Sequence, residues 1–172
     1  WRENLISIGG FDENFVRNQD DELCLRMKKL GQKVYQSPKI ISYYSNRTSF
    51  LKLFKQYYQY GFWKPAVMKK HNQPASIRHL VPGLFVLFLI FLSITSLIFN
   101  SLLIVYFYLV YCLFVIFSFS IERKFEDNFL ILLGSCFGIY LMHLSYGLGY
   151  LRGGLSFFFG YHKNHINKNI TR

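Results

Sequence analysis

The chain has 172 residues, a formal net charge of +11, 52% hydrophobic and 20% aromatic side chains. Its long apolar runs exceed what a soluble domain of this length could bury, which excludes an ordinary water-soluble protein and points to a membrane protein. Residues 1–79 hold 14 of the 20 Lys and Arg but six of the nine acids, so a basic, water-facing part precedes the apolar runs.

The opening Trp1-Arg2-Glu3-Asn4 has no initiator Met and no signal-peptide pattern, so the chain is expected to be a C-terminal fragment. Residues Arg2 to Ile8 alternate polar and apolar types and could form a helix or an edge strand. Gly9-Gly10 supplies the backbone freedom for a sharp turn. Phe11 and Phe15 flank Asp12-Glu13-Asn14 and are expected to anchor that turn in a core.

From Asp20 to Leu30 the apolar residues Leu23, Met27 and Leu30 fall at i, i+4 and i+7, which predicts an amphipathic helix. Asn18 or Asp20 can cap its start, and Gly31 can stop it. Arg26, Lys28 and Lys29 sit in the last turns, where the helix dipole favours cations. Asp20, Asp21 and Glu22 occupy the first turn. Three adjacent acids cost repulsion, so they suggest a chemical task, although the dipole also favours acids there. Consecutive helical residues spread around the axis, so at most one or two can face a given pocket.

Lys33 to Tyr44 reads as extended structure broken at Ser37-Pro38. A helix, a glycine and short strands together suggest the closing portion of an α/β domain. Thr48 to Lys70 interleaves Phe, Tyr and Trp with Lys52, Lys55, Lys64, Lys69 and Lys70. That pattern predicts a helix seated in the lipid headgroup region. It could also suit nucleic acid, but the adjoining apolar spans argue for membrane lipids and against a nucleic-acid partner.

Residues 80–99 and 102–119 are each about long enough to cross ~30 Å of hydrocarbon and read as a helical hairpin. A charged loop over 121–128 follows. Residues 129–150 read as a third, weaker span whose Gly134, Gly138, Gly147 and Gly149 permit close helix packing. His143 within it is expected to pack between helices, bonded to backbone or Ser145. The positive-inside rule places the basic N-terminal part in the cytoplasm. Three crossings then put the basic tail, with Lys163, Lys168 and Arg172, on the far side, against that rule. Cys24, Cys112 and Cys136 have neither disulfide nor zinc spacing and are expected to be buried, inert thiols.

Gly9-Gly10-Phe11-Asp12-Glu13, then Gln19-Asp20-Asp21-Glu22-Leu23, Arg26 and Gly31, resemble the end of the catalytic domain of family 2 glycosyltransferases. The Asn-Gln-Asp-Asp-Glu-Leu form and the Gln-Tyr…Tyr-Gly-x-Trp-Lys helix are most similar to the succinoglycan-biosynthesis type of membrane glycosyltransferase. The resemblance covers residues 1 to about 80, and the later spans only in layout. It implies an α/β GT-A (Rossmann-like) C-terminal portion over 1–47 and an amphipathic interface helix region over 48–78. A transmembrane region of about three helices over 79–160 and a basic tail over 161–172 would follow.

The implied function is inverting transfer of a sugar from a nucleotide-sugar donor to a lipid-linked or polysaccharide acceptor at the cytoplasmic face of the cell membrane. By motif position Asp20 is the catalytic base that deprotonates the acceptor hydroxyl, with Asp21 and Glu22 binding on the acceptor side. A Gln-x-x-Arg-Trp motif of the family matches Gln56-Tyr57-Tyr58-Gln59-Tyr60, with Trp63 one turn later. Gln56 and Trp63 are thus substrate contacts or interface anchors. Gln59 and Tyr60 depart from the motif, and Gln cannot supply a cationic fork; Arg47 or Lys64 could substitute for it. The resemblance implies a divalent metal, Mg²⁺ or Mn²⁺, for the parent enzyme, held by a motif outside this chain. The contrasting reading is a non-enzymatic membrane anchor or assembly subunit with a basic cytoplasmic domain.

Overall fold

A computed structural model describes residues 2–45, 47–72, 77–122 and 129–159. Among these the chain forms helices α1 (Arg2–Ser7), α2 (Gln19–Lys29), α3 (Phe50–His71), α4 (Val81–Ile98), α5 (Leu103–Glu122) and α6 (Phe129–Phe158). A short 3₁₀ turn over Ile77–His79 precedes α4.

The expected α/β, Rossmann-like portion is not what forms: among the described residues there is no strand. The residues read as extended, Lys33 to Tyr44, have no strand beside them among the described residues, so their backbone groups find no ladder to join. Their apolar side chains stand in the open, Tyr43 at 97% exposure and Ile40 at 79%. The apolar pairs Val34-Tyr35, Ile40-Ile41 and Tyr43-Tyr44 lie on an extended chain and not in a sheet.

Both N-terminal helices end by the same device. After α1, the Gly9 and Gly10 amides donate to the carbonyls of Ile6 and Leu5, each at 2.9 Å. After α2, Gly31 and Gln32 donate to Lys28 and Met27 at 3.0 and 2.9 Å. Gly9 and Gly31 take φ of 82° and 73°, a left-handed conformation that side chains with a Cβ disfavour. Asn18 occupies the cap position of α2 but makes no side-chain capping bond; its amide donates instead to the Tyr60 carbonyl at 2.9 Å. Phe15 is buried, as expected of an anchor, whereas Phe11 is 52% exposed.

The strongest packing is between α3 and α6, which run side by side in the same direction. Phe50 stacks edge-on against Phe137 at 4.9 Å at one end; Lys69 donates to the Phe157 carbonyl at the other. Glycines make the approach possible. A Cβ on Gly61 would lie 2.1 Å from the Tyr146 carbonyl oxygen, and one on Gly149 or Gly153 as close to those of Tyr58 and Phe62. Gly147 meets the Pro82 carbonyl of α4 in the same way. The packing role expected of Gly147 and Gly149 is therefore real, whereas Gly134 faces open space. Phe15, Phe62, Trp63 and Val67, with Phe157 against them, form the buried core that joins α2's approach turn to this pair.

The α4–α5 hairpin crosses α6 near Tyr140 and His143. Tyr111 Oη lies 3.0 Å from His143 Nδ1, and Tyr108 Oη lies 2.9 Å from Tyr140 Oη. His143 thus packs between helices, but its partner is Tyr111, not Ser145. Two helices, Val81–Ile98 and Leu130–Phe158, are long and apolar enough to cross a membrane; the apolar stretch Leu103–Ser118 of α5 is shorter. The cysteines are free, but none is buried as expected: Cys24 and Cys136 are half-buried and Cys112 is exposed on α5.

Candidate active site

Glu22 is the most deeply placed acid, with no exposed surface. One turn on, Arg26 meets it with Nε at 2.9 Å from Oε1 and a terminal nitrogen at 2.8 Å from Oε2. Lys70 Nζ lies 2.8 Å from Oε1 and His71 Nε2 lies 3.2 Å from it. Arg26 also donates to the carbonyls of Ile8 and Gly10, both at 2.6 Å, and so pins the glycine turn. Lys70 continues the chain of charges to Asp12 at 2.7 Å. Burial pushes the Glu22 carboxyl up, but hydrogen bonds from Lys70 and Arg26 outweigh it and hold it below its usual range. Lys70 likewise overcomes its burial through Asp12 and Glu22 and is raised. The Lys70 hydrogen bond is the main cause that brings Asp12 down to about 2. The GGFDE turn and the third acid of the triplet are therefore one electrostatic unit, centred on a carboxylate with no exposed surface.

The other two acids face outward. A cleft of about 600 Å³ opens at the start of α2, lined by the turn from Phe11 to Gln19, by Asp20 and Asp21, by Tyr60 and Lys64 of α3, and by His79 and Tyr146. Asp21 is paired with Lys64 Nζ at 2.5 Å, and Lys64 is itself 3% exposed. Asp20 is exposed on the cleft wall and has no ion pair among the described residues. Burial, and then the Lys64 cation, lower the His79 imidazole, which favours its neutral form. His79 Nδ1 and Tyr146 Oη are both buried without a hydrogen-bond partner. Buried polar groups are seldom left unbonded, so the cleft wall holds two unspent positions for a hydroxyl-rich ligand.

A smaller cavity of about 200 Å³ adjoins it, lined by Arg17, Arg47, Lys52, Lys55, Gln56, Gln59 and Tyr60. Arg17 and Tyr60 line both cavities. Gln56 accepts from Arg47 Nε at 3.2 Å and donates to Tyr60 Oη at 2.9 Å. Gln59 accepts from Arg17 Nε at 3.2 Å. A guanidinium therefore stands at position 59 even though the helix carries none there. Neither Arg47 nor Lys64 fills that place.

Of the residues singled out in the sequence, Asp20 and Asp21 meet in the cleft and Gln56 lies in the adjoining cavity. Glu22 and Trp63 reach neither. Trp63 is 2% exposed, packed 6.2 Å from Phe15 and 5.7 Å from Phe157 between ring centres. Arg17, His79 and Tyr146 were not marked by any motif, and Tyr60 entered only as a departure from one. His79 and Tyr146 come from segments far along the chain, and no local spacing brings them to Asp20. Among the described residues no three His, Cys, Asp or Glu converge to hold a metal, and Asp21 is already taken by Lys64. These residues do not fit a divalent cation, and no step is assigned to one.

With this geometry in hand, the similarity of the chain to proteins of known role points to glycosyl transfer. It is 32% identical over 80 residues to the succinoglycan biosynthesis protein ExoA of Rhizobium meliloti (strain 1021), covering 46% of this chain and 24% of that protein. It is 40% identical over 60 residues to the dolichyl N-acetyl-alpha-D-glucosaminyl phosphate 3-beta-D-2,3-diacetamido-2,3-dideoxy-beta-D-glucuronosyltransferase of Methanococcus voltae, covering 35% of this chain and 19% of that one. The chain spans about a quarter and about a fifth of the lengths of these relatives. The resemblance read from the motifs is thus shared with a succinoglycan-biosynthesis protein and with a glycosyltransferase. No protein-family description and no solved structure matches the chain.

Proposed function

We propose that this chain forms the acceptor side of a membrane glycosyltransferase that moves a sugar from a nucleotide sugar to a hydroxyl of a lipid-linked or polysaccharide acceptor. The carrying observation is the contrast within the acid triplet: Glu22 is buried in the fold, Asp21 is bound to Lys64, and Asp20 alone presents an unpaired carboxylate to a cleft. A general base must be reachable by the proton it takes and unspent on another partner. Asp20 meets both conditions.

In the proposed step the acceptor hydroxyl hydrogen-bonds to Asp20, which takes its proton as the oxygen attacks the anomeric carbon. A new C–O bond forms there, and the bond to the nucleoside diphosphate breaks on the opposite face, inverting the centre. The Asp21–Lys64 pair fixes the cleft wall beside the base. Tyr146 and His79 offer hydrogen bonds to sugar hydroxyls. The apolar helices hold this wall at a cell membrane that they cross more than once, with the site on the cytoplasmic face.

The test is Asp20→Asn in membranes carrying the full-length protein. Asn keeps the shape but cannot accept the proton, so sugar transfer should fall at least about a hundredfold with membrane insertion unchanged. Near-normal transfer by this variant sinks the assignment and favours the anchor reading.

A further inference from the structure

The Asp21–Lys64 pair is lopsided. Lys64 lies in the enclosed run Gly61–Pro65 of α3 and is 3% exposed, whereas the Asp21 side chain keeps 45% of its surface open. Stripping water from an ammonium is costly, and a half-exposed carboxylate returns little of that cost as stability. Nor does the seating of α2 depend on the pair. Asn18 donates to the Tyr60 carbonyl at 2.9 Å, Lys29 donates to the His71 carbonyl at 2.8 Å, and Lys70 lies 2.8 Å from Glu22. What the pair does change is the charge of the cleft. Asp20 and Asp21 are consecutive and line the same cleft, so without Lys64 two carboxylates would repel there and compete for one acceptor proton.

We infer that Lys64 is a positioning residue for the proposed base: it holds and neutralises Asp21, so that Asp20 is the acid of the two that presents a negative charge to the acceptor hydroxyl. The inference rests on the transfer reading of the cleft. Beside Asp20 the charged and titratable groups of the cleft are Arg17, Asp21, Tyr60, Lys64, His79 and Tyr146. Arg17 is turned toward Gln59, which accepts from its Nε at 3.2 Å. Burial, and then Lys64 itself, favours the neutral imidazole of His79. Lys64 is therefore the cation that the geometry sets against Asp21, at 2.5 Å. With Asp21 spent in this way, the hydroxyl bonds to Asp20 and gives up its proton there as the C–O bond forms.

The test is the pH profile of kcat/KM for sugar transfer in membranes carrying the full-length protein, because its acid limb reports the base of the free enzyme. In Lys64→Met the charge of Asp21 is left unopposed beside Asp20, and the acid limb should move up by roughly one pH unit. Lys64→Met/Asp21→Asn removes that charge as well, and the limb should return to its place in the natural protein. Lys64→Arg keeps the cation and should leave the limb where it is. A lysine with a merely structural role would lower transfer at every pH without moving the limb, and Asp21→Asn would not restore it. Should Lys64→Met fail to fold, Lys64→Gln, which loses the charge but keeps a donor for Asp21, takes its place with the same expectation. In a folded variant, an unmoved limb, a raised limb that the double variant does not bring back, or loss of transfer at every pH overturns the inference. Asp20→Asn separates that result from failure of the transfer reading: a transfer-dead Asp20→Asn with an unmoved Lys64→Met limb overturns the role of Lys64 alone, whereas near-normal transfer by Asp20→Asn sinks both.

Discussion

Glu22→Gln separates an acid that holds the fold from one that touches substrate. The substitution keeps the shape and removes the charge from a side chain with no exposed surface. Arg26 loses its ionic fork, and Lys70 and His71 lose a shared anionic partner. Breaking a buried ion pair from one side costs about 3–5 kcal/mol. Here the cations are not stranded. Arg26 keeps two carbonyl partners at 2.6 Å, Lys70 keeps Asp12 at 2.7 Å, and their side chains are 22% and 36% exposed. The lower end, about 3 kcal/mol, is therefore expected. At about 2–4 °C per kcal/mol for a chain of this size, the apparent midpoint should drop by roughly 6–12 °C. The assay is thermal unfolding of the purified protein, followed by transfer kinetics below the new midpoint. An unchanged midpoint together with a raised acceptor KM would refute the reasoning and return Glu22 to the substrate.

The same network sets a pH dependence. The folded-state carboxyls of Asp12 and Glu22 are depressed, Asp12 from 3.8 to about 2, so the stability they give is complete above their unfolded values and lost as pH falls through the folded ones. The unfolding midpoint should hold steady from neutrality to about pH 5 and then decline toward pH 2; Lys70, which is raised, adds a loss only above pH 10.5. A midpoint that rises on acidification contradicts the ion-pair account. Gly153→Ala should lower the yield of folded protein by forcing α6 off the Phe62 carbonyl, which its Cβ would meet at 2.1 Å. Gly134→Ala, which faces open space, is the matched control and should behave as the natural protein does by size-exclusion profile.

The parts legible in the sequence were those set by local chemistry. The period of Leu23 and Met27, the glycines after α1 and α2 and the aromatic–lysine pattern of α3 each specify a helix or its end without outside help. The strand reading failed because a strand needs a partner, and an apolar, extended stretch says nothing about whether one is present. Within the site, the acids were conspicuous but their roles were not. Adjacent residues on a helix point about 100° apart, so the charges of Asp20, Asp21 and Glu22 meet three different environments, and only packing decides which. Arg17 was invisible because its task depends on Gln59, 42 residues away. Tyr146 needed the α3–α6 contact, whose signal was the small residues and not the tyrosine.

That contact also bears on how the chain meets a membrane. α3 lies beside α6 from Phe137 to Phe157, and α3 displays Lys52, Lys55, Lys69 and Lys70 to solvent. Lysines at the level of the hydrocarbon core are costly. The stretch of α6 clear of α3 is the part before Phe137, roughly 12 Å at 1.5 Å per residue, far short of the ~30 Å core. α6 is apolar enough to cross, but crossing would carry the α3 lysines into lipid. The α4–α5 hairpin carries no charged side chain from Val81 to Ile121 and has no such companion. Two crossings by the hairpin, with α6 lying along α3 at the interface, would return the tail to the side of the N-terminal part. Its Lys163, Lys168 and Arg172 would then satisfy the positive-inside rule, which three crossings violate. In a background with Cys24, Cys112 and Cys136 replaced, single cysteines at Lys39 and Lys163 should react with a membrane-impermeant maleimide from the same side of sealed vesicles. Asn100→Cys in the hairpin turn should react from the opposite one. Labelling of Lys163→Cys and Lys39→Cys from different sides would mean that α6 crosses after all and that α3 leaves it to let it do so.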